Sequence, residues 1–428
     1  MKLESYWIQT SQPVKTVEQS LPARSDVVIV GGGFTGLSAA LAFARKGAQV
    51  VLLEAGDLVG EASGRNGGHV NNGIAVDYGA LADRVGVETA SGWYRAYDAA
   101  VDTVEHLVKQ EQIDCDFLRH GKLKLASRPA HFDALIRSYE RISREVDPDV
   151  ELFNASEISR ETSSNAFYGG LLQRRSAQMH VARFGTGLAQ AAQRHGALLQ
   201  THTPVVKLER IGQTHTHRVY TERGTIQADQ VLVATGTTRH GSYSTFGWWR
   251  RRIVPIGSFI IVTEPLSEQI ANSLFAGRRT YTTTANLHHY FRLTPDNRLV
   301  FGGRARFAMS SPTSDEKSGR ILHQSMVAVF PQLVNVRVDY CWGGLVDMTQ
   351  DRLPHAGEKD GLYYSMGYSG HGVQMSTHMG QIMSRVMSGE VNANPWRNHP
   401  WPAIPGHVGP PWFLPAIGLY YRIKDAVS

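Results

Sequence analysis

The chain has 428 residues, 42% of them hydrophobic, and 44 basic against 38 acidic side chains leave a net charge of +6. That length accommodates about two to three domains and the composition is that of a globular protein with a large core, which excludes a disordered or fibrous chain. The longest basic run is Arg250, Arg251 and Arg252, which reads as a solvated turn; no Lys/Arg tract points to a nucleic-acid partner.

Residues 1–24 read as a surface arm with aromatic anchors at Ser5-Tyr6-Trp7. A βαβ unit follows at 26–54. A β-branched strand at 26–30 runs into Gly31-x-Gly33-x-x-Gly36. A helix with Leu37, Ala40, Leu41 and Ala44 on its apolar side comes next, and a second strand at 49–53 ends in Glu54. Gly31 permits the tight turn, Gly33 lets a pyrophosphate approach the backbone, and Gly36 lets helix and strand pack closely. Free N–H groups and the helix dipole favour phosphate charge there. Glu54, 18 residues past Gly36, is placed to accept hydrogen bonds from a ribose diol.

The next stretch, Glu61 to His69, is a glycine-rich loop able to approach a flat cofactor, with Arg65 directed at phosphate and Asn66 at a ring edge. Helical spacing covers 80–112, then a strand at 117–126 and helices at 131–145 and 181–195. A strand is expected at 197–205, a hairpin at 208–223, and a buried strand at 230–236 ending in Ala234-Thr235-Gly236 at the ligand crevice. Residues 250–310 alternate as strands at 258–263, 289–293 and 299–303. Further strands fall at 336–342 and 362–366. A helix then begins after Gly367-Tyr-Ser-Gly-His-Gly372, with methionines as core filler, and the tail carries an aromatic, apolar segment at 412–421 that packs on the body. The start of that last helix, Gly370 to Val373, offers a positive dipole end and free N–H groups to an anionic ring. Cys115 and Cys341 are too few and too far apart for a disulfide scaffold and fit a reducing compartment. No signal segment and no apolar run of the roughly 18–20 residues needed to span a bilayer is present, so a cytoplasmic protein is expected.

The fingerprint at 31–36, the SGRNGG loop at 63–68, the ATG strand end at 234–236 and the GYSGHG turn at 367–372 together resemble the D-amino-acid-oxidase-like flavoproteins, which include glycine, sarcosine and D-amino-acid oxidases. The likeness spans about residues 20–390. Nearly the whole chain is similar to the γ-glutamylputrescine oxidases of that group, at Ser5-Tyr6, Glu61 to Gly68, Ile113 to Asp116, Tyr290 to Leu299, Phe330 to Leu333 and Tyr368 to Gly372. The resemblance implies an α/β fold: a Rossmann-like FAD-binding domain with an inserted α+β substrate domain of mostly antiparallel sheet. The FAD domain is expected from 20–85, 165–240 and 335–395, the substrate domain from 86–164 and 241–334, and the tail from 396–428. By the same resemblance Gly31, Gly33, Phe34, Thr35 and Gly36 hold the pyrophosphate, and Glu54 with Ala55 meets the adenosine ribose. Val205 meets adenine through its backbone. Ser63, Gly64, Arg65, Asn66, Gly67 and Gly68 line the flavin, with Ala234, Thr235, Gly236, Gly344, Gly370, Gly372 and Val373 also at the cofactor.

Two departures bear on substrate. Where sarcosine oxidases carry a carboxylate-binding Lys this chain has Gln374, and where glycine-oxidase-like enzymes carry an Arg it has Val346. A buried carboxylate needs a cation or several donors, so an amine without an adjacent carboxylate is expected; Arg292 is the candidate replacement cation, and a surface salt bridge its alternative. Candidate pocket residues are His69, Tyr290, Trp342 and Tyr368, with His371 nearest the chemistry. The Cys that tethers flavin in sarcosine oxidases aligns with Gly344, three residues from Cys341, so non-covalent FAD is expected. His215 and His217 alternate on one strand face without a third ligand, and no metal is expected. The expected activity is oxidation of a C–N bond of an amine, a γ-glutamylputrescine-like one, to an imine, with oxygen as acceptor and hydrogen peroxide released. The alternative is an amino-acid or N-substituted-glycine oxidase, and since the strand at 297–305 has no counterpart of the sarcosine-type oxygen-promoting Lys, a dehydrogenase stays open. A flavin-bound, non-catalytic binding module is the remaining class; the aromatic pocket weighs against it.

Overall fold

The computed structural model describes residues 1–16, 19–237, 246–304, 311–408, 411–414, 416, 418 and 420. Segments expected in the substrate domain at 241–245 and 305–310, and parts of the tail including Pro415 and Tyr421, lie outside the described residues.

Arg24–Val30 is the central strand of the first sheet. It pairs in parallel with Val50–Leu53 on one side and Gly224–Val233 on the other, with Val28 opposite both Val51 and Val231. Leu198–Gln200 extends one edge and the hairpin Leu362–Met366 with His355–Lys359 the other. A central strand buried on both faces needs an apolar run, and Val27 to Val30 are all buried. The helix Phe34–Arg45 packs on this sheet beside Gly372–Met387, whose Met375, Met379 and Met383 fill the shared core.

The second sheet also has eight strands, in the order Val338–Met348, Val254–Thr263, Leu299–Gly303, His289–Leu293, Thr280–Thr283, Lys122–Leu125, Gly169–Gln173 and Glu151–Asn154. Every pairing is antiparallel except Thr280–Thr283 with Lys122–Leu125. Leu123, Leu125, Tyr281, Phe291, Phe301 and Cys341 fill the core on one face, with Leu322 and Met326 of the helix Pro312–Val329. The opposite face looks toward the first sheet.

Several boundaries differ from expectation. The helix at 80–112 is two, Tyr78–Val85 and Val87–Gln110, because Gly86 takes φ +87° between them. The strand expected at 117–126 is Lys122–Leu125 alone, and that at 336–342 runs on to Met348. Gly169–Gln173 and Val338–Met348, assigned by sequence to the FAD domain, pair in the second sheet, while Val87–Gln110, assigned to the substrate domain, shares the core of the first. Strand partnership depends on distant segments, so the segment-wise division at 165 and 335 does not carry it. The arm is not merely extended: Tyr6–Gln9 is a helical turn and Trp7 is 1% exposed. In the tail, Phe413 and Leu414 pack on Val254 and Met348. No helix of the described residues is long and apolar enough to cross a membrane.

A methyl group on Gly36 would meet the Gly31 carbonyl oxygen at 1.9 Å, whereas one on Gly92, within the Val87–Gln110 helix, would meet nothing within 4 Å. Gly36→Ala is expected to cost about 1–3 kcal/mol, and Gly92→Ala to add about 0.5–1 kcal/mol; opposite shifts in Tm, read by thermal denaturation, check this pair.

Candidate active site

A cavity of about 1160 Å³ is lined both by the ends of the parallel strands, at Val30, Leu53 and Ala234, and by the second sheet, at Lys122, Thr282 and Tyr290. Gly31 sits at φ +113°, and a Cβ there would meet the Ala234 carbonyl oxygen at 2.7 Å; glycine alone tolerates both. Glu54 accepts from the Gly32 N–H at 2.6 Å through one carboxylate oxygen and from the Gly56 N–H at 2.8 Å through the other, which aims the carboxylate into the loop. Gly33 caps the helix without a side-chain hydrogen bond, and the Phe34 N–H donates to Ser63 Oγ at 3.0 Å. Gly31, Gly33, Phe34, Thr35, Glu54, Ala55, Ser63, Arg65, Asn66, Gly67, Val205, Ala234, Thr235, Gly236, Gly344, Gly370, Gly372 and Val373 all line this one cavity. Gly36, Gly64 and Gly68 stand behind it, where their lack of a side chain serves packing: a Cβ on Gly64 would strike the Val59 carbonyl oxygen at 2.1 Å, and one on Gly68 the Arg292 guanidinium at 2.2 Å.

The loop at 61–68 is held by contacts that sequence did not disclose. Ser5 Oγ donates to the Gly64 carbonyl at 2.8 Å and Trp7 Nε1 to the Asn66 carbonyl at 2.7 Å. Asn66 braces the loop: its amide donates to the Ala62 and Ser63 carbonyls and its oxygen accepts from the Gly68 N–H. Arg65 Nε donates to the Gly343 carbonyl at 2.7 Å.

Arg292 is neither a carboxylate clamp nor a surface ion pair. It is 2% exposed, lies behind the loop, and donates to the carbonyls of Gly67 (2.9 Å), Met179 (2.7 Å) and Leu293 (3.3 Å), with Trp7 stacked at 4.8 Å. Burial lowers its pKa to about 10. Trp342 is also off the cavity: it is fully buried under the loop and donates to the Arg65 carbonyl at 2.9 Å. Cys341 is buried on the far face of its sheet, its Sγ 3.2 Å from the Asp315 carbonyl, and Cys115 is buried too; neither lines the cavity.

His69, Tyr290, Tyr368, His371 and Gln374 do line it. Tyr290 lies across Gly302, where a Cβ would sit 2.2 Å from its ring, and its hydroxyl is 2.9 Å from Ser258 Oγ. His69 Nδ1 donates to the Gly67 carbonyl at 3.1 Å. Enclosure, and then the Arg292 charge, push its pKa down to about 3. His371 is likewise lowered to about 3, by enclosure and then by Lys122, His288 and Lys124; both rings are neutral at pH 7. Gln374 donates to the Asn71 carbonyl at 2.5 Å. His69 Nε2, His371 Nδ1 and Gln374 Oε1 have no hydrogen-bond partner among the described residues. All three belong to residues that line the cavity, where a bound ligand could satisfy them.

Sequence reasoning missed Lys122, Lys124, His288 and Asp347, which also line the cavity. Burial, opposed by the Gly367 N–H at 2.7 Å, raises Asp347 to about 6. An alternation of Lys with Leu at 122–125 was the available signal for the two lysines. Sequence also missed a group away from the cavity with metal-ligating residue types: Asp351, His355 and His399. The imidazoles stand 3.1 Å and 2.6 Å from the two Asp351 oxygens, a hydrogen-bonded tie between the tail and the turn at 351–355. His215 faces Glu358 at 3.2 Å, and His217 Nδ1 donates to the His215 carbonyl.

The profile of the FAD dependent oxidoreductase family matches residues 26–386. The chain belongs to this family. It is an FAD-dependent oxidoreductase, and the glycine cradle, the Glu54 carboxylate and the N-terminus of the Phe34–Arg45 helix are the parts that would receive the cofactor's diphosphate and ribose. The chain is 32% identical over 97% of its length to gamma-glutamylputrescine oxidoreductase of Escherichia coli K12, covering 96% of that protein. It is 31% identical over 86% of its length to the probable oxidoreductase OrdL of Haemophilus influenzae, covering 83% of it. The fold is similar to the crystal structure of L-proline dehydrogenase from P. horikoshii, with a TM-score of 0.70 at 19% identity over 86% of this chain and 95% of that one.

His69, His371 and His288 all have folded pKa values lowered from 6.5 to about 3, with burial as the first cause. The unfolded oxidoreductase therefore binds more protons between about pH 6.5 and 3, and stability is lost as pH falls through that window. Thermal melts of the flavin-free protein at successive pH values should show Tm dropping below about pH 6.5, with a shallower slope in His69→Asn.

Proposed function

We propose that this oxidoreductase is an amine oxidase that converts a γ-glutamyl amine such as γ-glutamylputrescine to an imine, which water hydrolyses to the aldehyde, with oxygen as acceptor and hydrogen peroxide as by-product. The observation that carries the reading is the near full-length likeness to gamma-glutamylputrescine oxidoreductase in a chain whose cavity wall holds Gln374 and Val346 where amino-acid-oxidising relatives would carry a cation. A role in polyamine breakdown belongs to the same proposal through that likeness, and a cytoplasmic setting is supported by two buried, unpaired cysteines. A non-covalent flavin belongs to the same proposal, supported by the placement of both thiols off the cavity.

Bound FAD supplies the two-electron acceptor for such a reaction. The chain's own residues supply the setting. The helix Gly372–Met387 presents its N-terminus to the cavity with no side-chain cap at His371, so its dipole stabilises negative charge placed against it. The neutral imidazoles of His69 and His371 add no positive charge to repel the substrate nitrogen. Tyr290 and Tyr368 are fixed through their hydroxyls, Tyr368 by Thr35 at 2.8 Å and Ser365 at 2.9 Å, and give the pocket rigid aromatic walls.

A second reading, oxidation of an amino acid or N-substituted glycine, draws on Lys122 and Lys124, which put positive charge in the same cavity. Anaerobic stopped-flow bleaching of the flavin separates the two. Fast bleaching by γ-glutamylputrescine, with sarcosine, glycine and D-alanine slow at equal concentration, is the expected result; fast bleaching by one of the small amino acids alone would overturn the γ-glutamyl reading. On readmitting air, stoichiometric peroxide distinguishes an oxidase from a dehydrogenase.

A further inference from the structure

Lys122 and Lys124 occupy alternate positions of one strand, so their side chains share a face, while Leu123 and Leu125 point into the apolar core behind. Both lysines line the cavity. Their strand pairs with Thr280–Thr283 on one side and Gly169–Gln173 on the other, which places Thr282 beside Lys124 and Gln173 beside Lys122. Lys122 is buried and donates from Nζ to the Asn72 carbonyl at 2.9 Å. The Lys124 side chain is open to the cavity and has no hydrogen bond or ion pair among the described residues.

The acids whose fields reach the pair are engaged elsewhere. Asp77 accepts from the Ala80 N–H at 2.9 Å and from the Ser138 hydroxyl at 2.7 Å. Asp98 accepts from the Asn72 amide at 2.9 Å. His288 and His371, within the field of the same lysines, are neutral. Two lysines therefore share a wall without a paired carboxylate among the described residues, and burial, then repulsion from Lys124, brings Lys122 down to about 7. A bound carboxylate has two acceptor oxygens, one for each lysine, and removes that repulsion. Gln374 and Lys122 are anchored on consecutive carbonyls, those of Asn71 and Asn72, so the pair adjoins the position from which the helix cation is missing.

We propose that Lys122 and Lys124 bind the substrate's carboxylate, which for a γ-glutamyl amine is that of its glutamyl head. This inference rests on the reading of the cavity as a γ-glutamyl amine site. The cation absent from the last helix is supplied instead by the second sheet, and it selects amines that carry an acid over bare diamines.

The test uses the flavin-loaded enzyme and its Lys124→Met and Lys124→Arg variants. Half-saturating concentrations for anaerobic bleaching are measured with γ-glutamylputrescine and putrescine, and FAD affinity is measured alongside. The preference for the γ-glutamyl amine should fall at least about tenfold in Lys124→Met, as expected for loss of a charged hydrogen bond, and recover in Lys124→Arg. An unchanged preference overturns the proposal, and so does a loss of FAD affinity in its place, which would assign the pair to the cofactor. Should neither amine bleach the wild type, the substrate reading fails while the lysine pair is still tested by glutarate. Its binding, read as a perturbation of the flavin absorbance, should weaken at least about tenfold in Lys124→Met. Glutarate that fails to bind the wild type, or binds the variant equally well, overturns the site.

Discussion

Burying the Arg292 guanidinium is the constraint on which the site depends. A buried charge is costly unless its donors are satisfied, and Arg292 has no carboxylate partner among the described residues. Its N–H groups go instead to the Gly67, Met179 and Leu293 carbonyls, with Trp7 stacked against it. Those carbonyls belong to the glycine-rich loop, the segment before the Val181–Arg194 helix, and the second sheet. One cation thus pins three separated parts of the chain into a single register, and a loop that glycine would leave pliable becomes a fixed wall of the cavity. The N-terminal arm completes the clamp, because Ser5 and Trp7 bond carbonyls of the same loop.

The second sheet divides its residues by the period of two. On one face Leu123, Tyr281, Phe291, Phe301 and Cys341 make a core with the helix behind them. On the other, Lys122, Lys124, Thr282 and Tyr290 face the cavity. Trp342 shares that second face, being in register through Ile260 and Gly302 with Tyr290, yet the loop at 63–66 covers it and turns it into core. A one-residue slip in any of these strands would exchange wall for core. The extended pairing of Val254–Thr263 with Val338–Met348 holds the register.

Charge is arranged around the cavity rather than spread evenly. Enclosure keeps His69, His288 and His371 neutral, so the charge on the cavity lining comes from Arg65, Arg304, Arg352 and the lysines, and from acids such as Glu54 and Asp77 whose oxygens are already bonded to backbone or side-chain donors.

The amino-acid sequence by itself determined what is local. The βαβ unit with its glycines and Glu54 was legible because strand, turn, helix and terminal acid lie within thirty residues. Strands at 289–293, 299–303 and 362–366 were read to the residue, since alternation and flanking turns are local signals. The tertiary structure alone decided what depends on distant partners. Arg292 read as a replacement cation because it is charged and lies in the substrate sheet, but the carbonyls that consume its donors come from residues 67 and 179. Lys122 and Lys124 read only as part of a strand at 117–126, because nothing near them in the chain says that their face closes over a cavity built by Gly31, Glu54 and Gly372. Whether a charged side chain is solvated, bonded to backbone or offered to a ligand is set by what packs around it, and that is information held by the fold.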